Sequence, residues 1–123
     1  MLKALVVDDK GKVRNLYKKV LEAESFTVLD AINGEHAASM LLEHPDIDLV
    51  LLDIRMPMAN GTALFDLIKH HNPEAKVIIT SVYSPDEQRR MINGADGYHE
   101  KSEGTDKLLS SIRSVLPNAR ARE

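Results

Sequence analysis

The residues best placed for chemistry follow short apolar runs. Asp8-Asp9 comes directly after Ala4-Leu5-Val6-Val7, Asp53 after Leu49-Val50-Leu51-Leu52, the Thr80-Ser81 hydroxyls after Val77-Ile78-Ile79, and Lys101 soon after Gly97-Tyr98-His99. Singly, each has an ordinary explanation. An Asp after a strand caps the next helix, Ser and Thr form turns, and a Lys is usually solvated. Together, on neighbouring strands of one parallel sheet, they would gather three carboxylates, two hydroxyls and one ammonium at a single rim. Two carboxylates about 4 Å apart repel by roughly 4 kcal/mol at an effective dielectric near 20. Such a cluster calls for a divalent cation. Mg2+ suits it, because it takes oxygen ligands in an octahedral shell and keeps several waters. Held by one or two of Asp8, Asp9 and Asp53, it would leave room for phosphate oxygens. Ca2+ would need more ligands than this rim supplies.

The elements needed to position these residues can be read from hydrophobic periodicity. The run ending at Asp8 is continuously apolar, as in a strand covered on both faces. Val13, Leu16, Tyr17, Val20 and Leu21 then fall at helical spacing. Phe26 to Leu29 reads as a second strand closed by Asn33-Gly34, and Ala37, Ala38, Leu41 and Leu42 mark a second helix ending before Pro45. The run before Asp53 is the clearest strand and must be central. Leu64, Leu67 and Ile68 give a third helix broken at Asn72-Pro73, and Val77 to Ile79 a fourth strand. A short helix is expected from about Pro85 to Asn93 with Gly94 as C-cap, then a weak fifth strand at 97–99. Leu108, Leu109, Ile112, Val115 and Leu116 make the last helix before Pro117. Strands alternating with helices predict an α/β fold with a parallel sheet, right-handed crossovers and helices on both faces. Ligands of such sheets bind beyond the carboxyl ends of the strands.

The segments "VVDD", "LLDIRMPMANG", "VIITSVY" and "GADGYHEKS" resemble the receiver domains of two-component response regulators, along essentially the whole chain. Asp53-Ile54-Arg55-Met56-Pro57, with Gly61 eight residues past the Asp, is the most specific part. The resemblance implies a flavodoxin-like, doubly wound (βα)5 fold of strand order 2-1-3-4-5, with residues 1–117 as the domain and 118–123 as a tail. It implies phosphoryl acceptance at Asp53, Mg2+ held by Asp8, Asp9, Asp53 and the Arg55 carbonyl, and Lys101 paired with phosphoryl oxygens. The donor would be a phosphohistidine on a sensor histidine kinase or a histidine phosphotransfer protein, with water as second acceptor. The only catalysis implied is the chain's own phosphorylation and dephosphorylation. A hydroxyl at the end of strand four would turn toward the phosphoryl group while the aromatic Tyr98 moves inward. Ser81 matches that hydroxyl's place best, and Thr80 is the alternative. Alternate strand residues face opposite ways, so both cannot serve.

Two positions depart from the pattern. Ser81 and Lys101 are closer in sequence than in most members, so the fourth helix or the loop before it is expected to be short. Ser102 stands where many members have Pro. Val82, with Arg55 and Tyr83, would crowd attacking water and lengthen the life of an acyl phosphate.

Composition narrows the alternatives. A net charge of −3 does not suit a dedicated nucleic-acid binder, and the absence of Cys removes disulfides and thiol chemistry. No run approaches the roughly 20 apolar residues of a membrane span, and the N-terminus lacks a signal-peptide pattern, so a cytoplasmic protein is expected. An Asp-dependent phosphatase would place a second Asp where Arg55 stands. A flavin module would need Gly-, Ser- or Thr-rich phosphate loops where Asp8-Asp9-Lys10 lies. A degenerate receiver acting as a phosphorylation-independent interaction module is the remaining alternative. The output would be a downstream protein partner or a covalently linked domain, with no direct contact to nucleic acid or membrane. Arg89, Arg90 and Arg113 read as solvated charge.

Overall fold

The computed structural model describes residues 1–54 and 61–116, so the expectations for Arg55, Met56-Pro57 and the 118–123 tail fall outside the described residues. Within them the chain alternates β1 (Lys3–Val7), α1 (Gly11–Ala23), β2 (Thr27–Ala31), α2 (Gly34–Glu43), β3 (Leu49–Asp53), α3 (Gly61–His71), β4 (Lys76–Ser81), α4 (Pro85–Met91), β5 (Gly97–Glu100) and α5 (Thr105–Val115). The strands form one parallel sheet of order β2-β1-β3-β4-β5, the doubly wound α/β arrangement expected.

Strand alternation sorts the core into two clusters, one on each face. Leu5, Val7, Val50, Leu52, Val77 and Ile79 meet Ala37 and Leu41 of α2 and Leu64, Phe65 and Ile68 of α3. Ala4, Val6, Leu49, Leu51 and Ile78 meet Tyr17 and Leu21 of α1 and Leu108 and Ile112 of α5. Because β1 and β3 are covered on both sides, their runs are apolar without a break, and all five β3 residues are buried.

Three boundaries differ from expectation. Strand β2 runs on to Ala31 because Asp30, which interrupts the apolar run, is paired with Arg14 at 3.1 Å. Asn33 does not close a turn; its side chain accepts the His36 N–H and caps α2. Helix α4 stops at Met91, and its C-cap is Ile92 rather than Gly94. Ile92 leaves the helix to bury its side chain, and its carbonyl takes the Tyr98 hydroxyl. Gly94 comes next but one with φ +93°, a conformation that favours glycine. At seven residues, α4 is the shortest α-helix among the described residues.

Carboxylates at the amino ends of strands serve structure. Asp48 accepts the Lys3 N–H at 2.9 Å, and Asp96 accepts the Val77 N–H at 2.8 Å while pairing with Lys69. One buried titratable group lacks such partners. His99 is 2% exposed, packs edge-on against Tyr17 with ring centroids 6.4 Å apart, and neither ring nitrogen finds a hydrogen bond. Burial pushes its imidazole below the ordinary value, Glu103 and Glu100 pulling it back up while Lys107 and Lys101 push it further down. The unfolded chain therefore binds a proton that the folded chain refuses, and stability falls as pH drops through the unfolded value of 6.5. A His99→Phe variant is expected to stay within about 1.5 kcal/mol of wild type at neutral pH. It should also flatten the loss of melting temperature between about pH 7 and pH 5.5. An undiminished slope in calorimetry would assign that loss to other groups.

Candidate functional site

The sheet order reverses beside β1, since the chain passes to β2 on one side and returns to β3 on the other. The crevice beyond β1 and β3 is where open α/β sheets place ligands, and Asp8, Asp9 and Asp53 stand there. Each offers a carboxylate oxygen, all lying within 4.8 Å of one another. Asp8 and Asp53 are buried, each about 1% exposed.

Asp8 is held through both carboxylate oxygens and both main-chain polar groups, its N–H donating to the Ala31 carbonyl at 3.2 Å. Its Oδ1 accepts the Lys10 N–H at 2.9 Å in an Asx-type turn; the N-cap of α1 is Lys10, with no side-chain cap bond, so Asp8 does not cap the helix as expected. Its Oδ2 accepts from Lys101 Nζ at 2.8 Å, and its carbonyl accepts from Arg14 Nη1 at 2.8 Å. Lys101 also donates to Asp53 Oδ2 at 3.1 Å and so bridges two carboxylates. Burial pulls the Lys101 ammonium toward neutrality, but the Asp8 hydrogen bond and the charges of Asp53 and Asp8 outweigh it and leave its pKa raised. Tyr17 lies beneath the cluster; burial first, then the negative charge of Asp8 and Asp53, pushes its phenol up to about 12.

Asp9 Oδ1 tests whether a cation fits. It is sealed from solvent and accepts no hydrogen bond, and the Lys10 ammonium at 3.8 Å is too distant to donate. A buried carboxylate oxygen without a hydrogen-bond donor, among other carboxylates, is what a hard divalent cation satisfies. The residues fit such an ion, with Asp8, Asp9 and Asp53 as the described ligands.

Lys101 is aimed at the cluster by a tight turn. β5 delivers it into a 3-10 turn, Lys101–Glu103, in which Ser102 Oγ donates to Glu100 at 2.6 Å, and Gly104 with φ +83° begins α5. Thr80 and Ser81 end β4, both 1% exposed. Thr80 is the register partner of Asp53. Ser81 shares the face of Ile79, where Tyr98 also packs, and its Oγ accepts the Tyr83 N–H at 3.2 Å. Tyr98 is half-buried: its hydroxyl donates to the Ile92 carbonyl at 2.7 Å and accepts the Ala95 N–H at 3.3 Å. The Arg89 guanidinium lies 5.0 Å from its ring centroid, and Arg89 and Arg113 are paired with Asp86 and Glu24. An open depression of about 670 Å³ leads to Asp53, lined by Asp9, Lys10, Val13, Val82, Lys101 and Ser102.

Sequence reasoning missed Arg14 and Gln88. Arg14 links the Asp8 carbonyl to Asp30. Gln88 is fully buried and donates to two backbone carbonyls, of Tyr83 and His99. Main-chain partners of this kind carry no sequence signature.

Comparison with known proteins agrees with this geometry. The profile described as the response regulator receiver domain matches residues 4–113. The chain is 35% identical over 114 residues to the chemotaxis protein CheY of Halobacterium salinarum, covering 91% of this chain and 94% of that one. It is 34% identical over 119 residues to the transcriptional regulatory protein CpxR of Escherichia coli, covering 94% of this chain and 50% of CpxR. The chain thus spans about half the length of several curated relatives it matches. Among solved structures, the response regulator TrrA of Thermotoga maritima in complex with Mg(2+)-BeF superposes with a TM-score of 0.83 at 33% identity, covering 94% of this chain and 99% of that one. CheY from the CheX-CheY-BeF3-Mg+2 complex of Borrelia burgdorferi gives 0.84 at 29%, covering 94% and 89%. The chain belongs to the response regulator receiver domain family of two-component systems, with the flavodoxin-like fold. Among the described residues, no helix is long and apolar enough to cross a membrane.

Proposed function

We propose that this chain accepts a phosphoryl group on Asp53 from a phosphohistidine donor and changes its surface for a partner or a linked output domain. The observation that supports this most is the grouping of three carboxylates within 4.8 Å, two of them bridged by the Lys101 ammonium. An Asp53 oxygen attacks phosphorus in line. The Oδ–P bond forms as the P–N bond of phosphohistidine breaks, and the imidazole leaves with the electron pair. Lys101 stabilises the equatorial oxygens with an ammonium already held in place by Asp8 and Asp53. Mg2+, held by Asp8, Asp9, Asp53 and the Arg55 carbonyl, would supply charge neutralisation. Ser81 is our choice for the switch hydroxyl over Thr80, because it lies on the face that carries Tyr98. A sensor kinase or phosphotransfer protein is the donor and the cytoplasm the setting. Direct contact with nucleic acid or membrane forms no part of the reading.

Intact-mass spectrometry after incubation with acetyl phosphate and Mg2+ tests it. One phosphoryl group should add to the wild-type chain and none to Asp53→Asn.

The lifetime of that group is set at the mouth of the depression, where Val82 and Val13 present methyl groups. Val82 is 60% exposed, so truncating it leaves the core untouched. Val82→Ala is expected to speed loss of the acyl phosphate by about threefold, as a barrier change of under 1 kcal/mol would do. Equal decay rates by mass spectrometry would show that Val82 does not shield the bond from water.

A further inference from the structure

We propose that Gln88 is a positioning residue that transmits the state of the Ser81 loop to β5 and Tyr98. The proposal rests on the phosphoacceptor reading above and adds a component to it.

β5 is an edge strand. Asp96 donates its N–H to the Val77 carbonyl just before the strand, and the parallel ladder then pairs Ile79 with Tyr98 and Thr80 with His99. The His99 carbonyl is taken by Gln88 Nε2 at 2.9 Å. The same nitrogen donates to the Tyr83 carbonyl at 2.8 Å, in the loop between β4 and α4. Gln88 itself is 0% exposed, so water cannot replace either bond. Its backbone is tied into α4, its N–H to the Ser84 carbonyl and its carbonyl to the Ile92 N–H. One side chain therefore joins the loop, the helix and the edge strand.

The loop end of this link touches the proposed switch. Ser81 Oγ accepts the Tyr83 N–H, and the Tyr83 carbonyl accepts from Gln88. If Ser81 Oγ turns toward a phosphoryl group, it gives up the Tyr83 N–H, and the Tyr83 peptide loses that restraint. Gln88 must then track that carbonyl or let it go. Either outcome alters its hold on His99, the residue after Tyr98, and shifts α4, whose Ile92 carbonyl holds the Tyr98 hydroxyl. Gln88 Oε1 is buried and accepts nothing. A sealed, unpaired acceptor penalises the present packing, so an alternative packing that supplies a donor gains in proportion. The link has the ingredients of a two-position element.

The test compares wild type with Gln88→Met, which keeps the length and loses both donors, using beryllofluoride and Mg2+ as the phosphoryl mimic and amide NMR as the readout. The variant should bind the mimic with wild-type stoichiometry. Its displacement of the Ala95, Tyr98 and His99 amide signals should fall below about half of the wild-type change. Equal displacements in the two proteins would overturn the proposal while leaving the phosphoacceptor reading intact. Should the variant fail to fold, the side-chain amide signals of Gln88 in wild type decide the matter: they should move when the mimic binds. Signals that stay fixed while the Tyr98 amide moves overturn the link alone. A wild-type chain that gives no response at any residue overturns the phosphoacceptor reading and this proposal together.

Discussion

Lys101→Met should destabilise the metal-free protein by about 3 kcal/mol, the low end of the cost of stripping one partner from a buried ionic group. Lys101 is the ammonium bonded to both Asp8 Oδ2 and Asp53 Oδ2, and those two carboxylates are nearly inaccessible to water. Removing it leaves like charges facing each other in a medium that screens poorly. Mg2+ at 100 times its dissociation constant should return about 2.7 kcal/mol, since it binds the folded chain alone. Urea denaturation with EDTA and with Mg2+ measures both effects. A variant as stable as wild type in EDTA would show that the ammonium is not what holds the carboxylates together. The pH dependence comes from the raised pKa of Lys101. Its contribution is fully present below the unfolded value of 10.5 and is lost as pH rises through the higher folded value. Tyr17 acts in the same direction, because its phenol ionises at 10.0 in the unfolded chain and at about 12 in the folded one. The protein should therefore keep this part of its stability at neutral pH and lose it steeply in strong alkali.

Asp53→Asn is expected to abolish phosphoryl uptake while leaving the metal-free fold at least as stable as before. A carboxamide lacks the anionic oxygen that forms the acyl phosphate, so no slower version of the same reaction remains. The stability argument is electrostatic. Three carboxylates lie together, the Lys101 ammonium bridges two of them, and Asp8 keeps its 2.8 Å bond to Lys101 when Asp53 is neutral. Removing a surplus negative charge should stabilise by about 1 kcal/mol without Mg2+. The same variant should lose Mg2+ affinity, with one ligand oxygen fewer carrying charge. Mass spectrometry and thermal melting on the same sample check both halves. A phosphorylated Asp53→Asn chain would move the acceptor elsewhere.

Much of the fold and site was legible because buried parallel strands write themselves plainly. Leu49 to Leu52 and Ala4 to Val7 are unbroken apolar runs, and the carboxylates that come directly after them reach one rim whatever the loops do. Asp8, Asp9, Asp53 and Lys101 could therefore be grouped before any coordinates. The errors lie where one residue type serves two purposes. Asn33 signals a turn and a helix cap equally, and the structure uses the cap. Asp30 reads as the end of a strand unless its Arg14 partner is known. Helix α4 is too short to show a period, and the burial of Ile92 ends it early. Gln88 was illegible for a different reason: a glutamine among Glu87, Arg89 and Arg90 looks solvated, and only its reach to two carbonyls shows otherwise.

The lysine at the rim has one more implication. Covalently attached to the turn after β5, its ammonium is a counter-ion that cannot diffuse away, so its local concentration is set by the chain and not by the buffer. An arriving divalent cation must compete with that resident charge. Adding monovalent salt, which supplants free counter-ions, should do little to ease its way.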